Sequence, residues 1–222
     1  MNRDASRLRI LLVLTLFFEA CAVMGPSLPR ESCPVAPVST GDLPQGLRLR
    51  ARMSFTVGDR IVGLETVAHA VQGELVVIGL APYGARLFTV RQRGREISVE
   101  ASSKREFEHL ALWVMDVLHR IYWIAPPSDR QSSPVSSWNR ANERVMEWND
   151  GGLLRREFVR PGENAASSRV TISYHQDADT GESTVEIRNP WCGYKAVVAT
   201  LTAEPAGQVP GRWDPVFGEA TE

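Results

Sequence analysis

Few side chains in this 222-residue chain are of types that do specific chemistry: three cysteines, four histidines and one Asp-x-Asp-x-Gly run. Cys21 is the most informative. It follows a basic head of Arg3, Arg7 and Arg9, an apolar run from Ile10 to Phe18, and the small residue Ala20. The run is too short to span a bilayer as a helix and suits the core of a signal peptide. Residues 1–21 therefore read as a lipoprotein signal, whose terminal cysteine thiol is acylated and becomes the new N-terminus. Phe18 and Glu19 depart from the aliphatic and small residues usual just before such a cysteine. Ordinary secretory cleavage after Ala22, with Ala20 and Ala22 as the small pair, is the alternative; it releases a soluble secreted or periplasmic protein. Acyl chains on Cys21 would supply about 0.8 kcal/mol per buried CH₂ and hold the chain at a membrane. Ala22 rather than Asp follows the cysteine. That predicts an outer-membrane anchor with the protein facing the periplasm.

With Cys21 acylated, Cys33 and Cys192 remain. In an oxidising compartment they predict a disulfide between the N-terminal linker and a turn near the C-terminus, with two unpaired thiols as the alternative. No Cys-x-x-Cys occurs in the sequence, so neither a redox pair nor a structural zinc site is predicted. Asp177, Asp179 and Gly181 resemble part of a calcium loop but lack its later carboxylate. A polar hairpin loop is the simpler reading, and His175 beside it reads as a loop histidine. His69, His109, His119 and His175 are scattered, and His109 and His119 are too far apart to ligate one metal. There is no Gly-x-Ser-x-Gly elbow, His-Glu-x-x-His pair or phosphate-cradling loop. The expectation is a protein without catalytic residues, metal or other cofactor. Net charge is −1 for the whole chain and −2 once residues 1–20 are removed. No basic excess exists to bind a phosphate backbone, so no nucleic-acid partner is expected.

The elements that must position these residues fall between two proline-rich segments. Residues 22–45 read as an extended tether and residues 204–222 as a loose tail. Trp213 and Phe217 in that tail could dock on the domain or on a partner. Residues 46–203 form the domain. Leu47, Leu49, Ala51, Met53, Phe55 and Val57 alternate with arginine, serine and threonine, the pattern of a strand with one wet face. Further strands are expected over 60–70, 74–80, 87–92, 96–101, 144–148, 153–159, 170–175, 184–188 and 194–201. That makes about ten strands, with short turns that imply antiparallel pairing.

The period changes at Lys104. Phe107, Leu110, Ala111, Val114, Val117, Leu118 and Ile121 recur at helical spacing, ending near Trp123. Glu108, His109, Asp116, His119 and Arg120 form a narrow polar stripe, read as solvent-exposed. A buried Asp116 would need a partner such as Arg120, one turn on. The apolar arc is the larger part of the wheel, so the helix needs cover on more than one side, which a curved sheet supplies. Trp113, Tyr122 and Trp123 line a cavity or form a closed core. The predicted fold is α+β, mainly antiparallel β: a curved half-open barrel with one main helix packed on or in its concave face.

The segments LRLRARMSF, VIGLAPYGARLFTVRQRGREISVEA, ALWVMDVLHRIYW, VTISYH and GYKAVVATL, spanning roughly residues 45–202, resemble a family of uncharacterised bacterial lipoproteins. That family, a domain of unknown function, is related to the outer-membrane lipoprotein carrier and receptor proteins LolA and LolB. The resemblance implies a half-barrel around a hydrophobic hollow with helices as a lid. It also implies acyl chains or lipid-like groups as ligands, and for the closer family a link by gene neighbourhood to the synthesis or export of aryl polyene lipids.

The expected function is binding of a lipid or other apolar ligand by a membrane-anchored lipoprotein, with lipid or lipoprotein cargo as partner. Leu49, Met53, Phe55, Val76, Ile78, Leu110 and Trp113 are the residues expected to face the cavity. A non-catalytic structural or assembly lipoprotein of the cell envelope is the alternative.

Overall fold

Alternation of apolar and polar residues, repeated across the chain, builds one antiparallel sheet. The computed structural model describes residues 37–44, 46–102, 105–125, 134–149, 153–160, 169–176 and 183–204, all within the unit Glu31–Glu222. Five strands come first: β1 (Arg48–Val57), β2 (Arg60–Val71), β3 (Glu74–Leu80), β4 (Arg86–Arg93) and β5 (Glu96–Ala101). Helix α1 (Arg105–Leu118) comes next and runs into a π-helical turn (His119–Trp123). Six more strands complete the fold: β6 (Val135–Arg140), β7 (Glu143–Asn149), β8 (Leu153–Val159), β9 (Arg169–Gln176), β10 (Ser183–Asn189) and β11 (Tyr194–Glu204).

The eleven strands form one sheet in the order β5-β4-β3-β2-β1-β11-β10-β9-β8-β7-β6, with β5 and β6 at its unclosed edges. Every neighbouring pair is antiparallel. The last strand pairs with the first, Met53 opposite Val198, which joins the two halves at the centre. The sequence led to about ten strands. The addition is β6, whose residues VSSWNR are too polar to signal a buried face; as an edge strand it needs only one partner.

The sheet is curved, and two consecutive residues show how strongly. His119 meets Gln92 of β4 at 2.9 Å, and Arg120 meets Glu143 of β7 at 3.0 Å. β4 and β7 stand second and tenth in the strand order. In a flat sheet, at about 4.8 Å per strand, they would lie about 38 Å apart. A helix is only about 10–12 Å across with its side chains. Both contacts are available only if the sheet wraps around α1.

The core is the space between this concave face and the helix. Leu49, Met53, Phe55, Leu75, Val77, Phe88, Val90, Ile187 and Val198 are buried with Ala111, Val114 and Leu118 of α1. Gln72 and Gly73 both have positive φ, 52° and 75°, and close the β2–β3 hairpin with the turn that matches strand twist. Gly79 has a different role. A Cβ there would lie 2.2 Å from Cζ of the buried Phe88 ring on the neighbouring strand. We expect Gly79→Ala to cost about 1–3 kcal/mol through overpacking. The penalty should shrink when Phe88→Leu is introduced beside it, measured as a double-mutant cycle of urea midpoints.

Residues 37–44, read from composition as the end of the tether, are bound to the domain. Thr40 is buried. Its N–H donates to Gly94 O at 3.0 Å and its hydroxyl to Gly73 O at 2.6 Å, while Gly94 N–H donates to Thr40 Oγ1 at 2.8 Å. These contacts run mostly through main chain, which leaves no trace in hydrophobic patterning.

Candidate functional site

Helix α1 begins with Glu106 and Glu108 in its first turn, where carboxylates favour the helix dipole. Its buried residues then run without a break from Trp113 to Leu118. That run includes Asp116, and the π turn adds His119 and Arg120. The sequence placed these three on a wet stripe. In the structure Asp116 is 2%, His119 1% and Arg120 2% exposed. The wrapped sheet covers the side of the helix that a flat sheet would have left in water.

Arg120 is the hub of a buried polar network. Its Nε donates to Asp116 Oδ1 at 2.8 Å, the one-turn pairing that a buried Asp116 requires. Its two terminal nitrogens donate to Glu143 of β7, Nη2 to Oε1 at 3.0 Å and Nη1 to Oε2 at 3.2 Å. The guanidinium carbon sits 4.4 Å from the Phe158 ring centroid and 5.4 Å from that of Trp191. Asp116 Oδ2 also accepts from Asn189 Nδ2 at 2.9 Å and from the Tyr194 hydroxyl at 2.8 Å. Arg156 of β8 pairs with Glu147 of β7 and donates to the Arg120 carbonyl at 2.7 Å. Three carboxylates and two guanidiniums are thereby held out of water, each charge against a partner.

Burial opposes the charge on Arg120, but Asp116 and Glu143 more than offset this and hold its proton more firmly than usual. Burial, reinforced by the charge on Asp116, pushes the Tyr194 phenol well up, so it stays a donor. Every oxygen of Asp116 and Glu143 accepts a hydrogen bond from within the network. The arrangement works as a clamp joining the end of α1 to β7, β8, β10 and β11.

On the other side of the helix, His119 links three segments. Its Nδ1 accepts from Val38 N–H at 3.0 Å, so Nε2 carries the proton and donates to Gln92 Oε1 at 2.9 Å. Gln92 Nε2 donates in turn to Val38 O at 2.7 Å and Gly94 O at 2.8 Å. Burial, with Arg140 and Arg120 nearby, pushes the His119 imidazole down to about 3.

Of the residues expected to line a cavity, Leu49, Met53, Phe55, Leu110 and Trp113 all lie in the core between sheet and helix. Phe55 stacks against Trp113 at 6.3 Å, and both rings meet Tyr194 at 5.5 Å. Val76 and Ile78 are half-buried on the opposite face of the sheet. The β2–β3 register aligns Leu75 and Val77 with the buried Ala70 and Ala68, so those two point inward and Val76 and Ile78 outward. β3 is apolar on both faces, and its phase was not readable without that pairing.

Glu143, Glu147, Arg156, Asn189 and Tyr194 were not singled out from the sequence. A signal for three of them was present. Glu143 and Glu147 share the phase of Val145, and Arg156 that of Phe158, which puts charges on the apolar side of two strands.

Cys192 is buried and disulfide-bonded, with its backbone N–H donating to Asn189 Oδ1. Its sulfur partner lies outside the described residues, as do Cys21, Cys33, Asp177, Asp179, Gly181, Trp213 and Phe217. Among the described residues no three His, Cys, Asp or Glu side chains are grouped to hold a metal ion. Nor is any described helix long and apolar enough to cross a membrane.

No curated protein matches the chain. The crystal structure of a DUF1329 family protein from Desulfovibrio piger is similar with a TM-score of 0.31 and 10% identity, covering 71% of this chain and 84% of that one. Residues 48–202, from the start of β1 almost to the end of β11, match the protein family of unknown function DUF3261. The chain belongs to the DUF3261 family.

Proposed function

We propose that this chain is an exported lipoprotein, anchored through Cys21 at the outer membrane, whose concave sheet shelters an apolar chain of a lipid or lipoprotein. The kinship with the LolA and LolB carriers is part of this proposal. The observation that supports it most is the uneven seating of α1. Side-chain hydrogen bonds from the helix to other described residues begin only at Asp116. The part before it, Arg105 to Met115, rests on apolar packing over β4, β5 and the Phe55–Trp113–Tyr194 cluster. Packing of that kind is non-directional and can be exchanged for contact with a ligand's methylene groups, at about 0.8 kcal/mol for each one buried. The clamp at the far end would keep the helix attached while its first turns give way.

A fluorescent polyene fatty acid tests this. Saturable uptake by the purified full chain is expected, with tryptophan emission quenched by energy transfer, and lipid retained in native mass spectrometry. A clean protein mass together with no uptake would overturn carriage. It would favour the second reading, a structural or assembly lipoprotein, which the filled Phe55–Trp113–Tyr194 contact and the two edge strands of the described sheet, β5 and β6, support.

A further inference from the structure

The wet face of the sheet carries a feature that the interior reading does not use. Beside the β10–β11 hairpin lies an open groove of about 750 Å³, lined by Arg169, Thr171, Arg188, Asn189, Tyr194 and Lys195 among others. Among the described residues, its cations share their carboxylates. Arg188 and Lys195 share the single carboxylate of Glu186, at 2.7 and 2.8 Å. Arg169 shares Glu157 with Arg155. Among the described residues, these pairs set four cations, of which Arg155 lies outside the groove lining, against two carboxylates. Arg169, in the groove lining, also has a buried Nε–H with no hydrogen-bond acceptor.

We propose that this groove binds a phosphate-bearing anion through Arg169, Arg188 and Lys195, with the Thr171 hydroxyl as a further donor. Phosphate suits the site because its several oxygens can answer guanidinium and ammonium donors arriving from different strands. The anion is either the headgroup of an acidic lipid or a free phosphate ester. The proposal goes beyond the apolar-ligand reading and does not need it, since Thr171, Arg188 and Lys195 pair across β9, β10 and β11 on the face opposite buried Ile172, Ile187 and Ala196.

Calorimetric titration of the full chain in neutral detergent, with inorganic phosphate and separately with the glycerophosphodiester headgroup of phosphatidylglycerol, tests it. Saturable binding is expected, weakening as chloride is raised. In R188Q/K195Q it should fall by about tenfold. R91Q/R93Q removes two arginines from β4, outside the groove, and should bind like the parent. Tighter binding of the diester identifies a lipid headgroup, and tighter binding of inorganic phosphate a free ester. Either result supports the site. No binding of either probe at low salt overturns it. So does unchanged affinity in an R188Q/K195Q protein that melts like the parent.

Discussion

Arg120→Met should destabilise the protein by about 3–5 kcal/mol, the usual cost of stripping one partner from a buried ion group. The substitution roughly keeps the aliphatic volume over Phe158 and deletes the five donors. Asp116 would keep Asn189 and Tyr194, but Glu143, itself buried, would lose both of its guanidinium hydrogen bonds. Domains of this size are stable by only about 5–15 kcal/mol, so the loss is a large fraction of the whole. Urea unfolding would show it as a lower midpoint with little change in slope. Replacing Asp116, Arg120 and Glu143 together by Leu, Met and Leu should recover part of the loss, because none of these three sites then holds an unpaired charge, although Asn189 and Tyr194 lose their acceptor. An Arg120→Met protein within about 1 kcal/mol of the parent would mean that the clamp does not hold α1.

The second large effect is on pH. His119 is neutral in the folded chain and resists protonation until about pH 3, whereas an unfolded histidine takes its proton near 6.5. Between those values the unfolded state binds more protons, so stability falls as pH is lowered. It is fully present above 6.5 and lost progressively toward 3. The slope is about 1.4 kcal/mol per pH unit at most, about 5 kcal/mol over the whole window. A proton on Nδ1 would also set two donors face to face, His119 and the Val38 N–H, and release the segment that leads into the domain. His119→Gln removes the titration while its amide can still donate and accept. Between pH 7 and pH 4 the parent should lose about 3 kcal/mol more stability than this variant. Parallel losses in the two proteins would mean that the imidazole is solvated.

Both effects come from side chains that sequence reasoning assigned to water, and the reason is specific. The Asp116–Arg120 pairing is local and was legible at helical spacing. Whether it is buried depends on Glu143, and on Asn189 and Tyr194, which lie 73 and 78 residues from Asp116. No window along the chain contains them together. The two acids in β7 and Arg156 in β8 were a warning, since charges in phase with Val145 and Phe158 belong to the covered face. That warning has force only once the covered face is known. β3 illustrates the same limit: apolar on both sides, it carries no phase of its own and takes one from the register of β2.

The sequence by itself determined the local periods. Arginine–apolar alternation made β1 a strand with Leu49, Met53 and Phe55 on one side, and the three-and-four spacing from Leu110 onward made α1 a helix with a broad apolar arc. The tertiary structure alone decided which of the remaining faces meet water. A period states which residues share a face. Burial depends on what stands opposite, and here an eleven-stranded sheet curls far enough to bring β4 and β7 against adjacent residues of one helix.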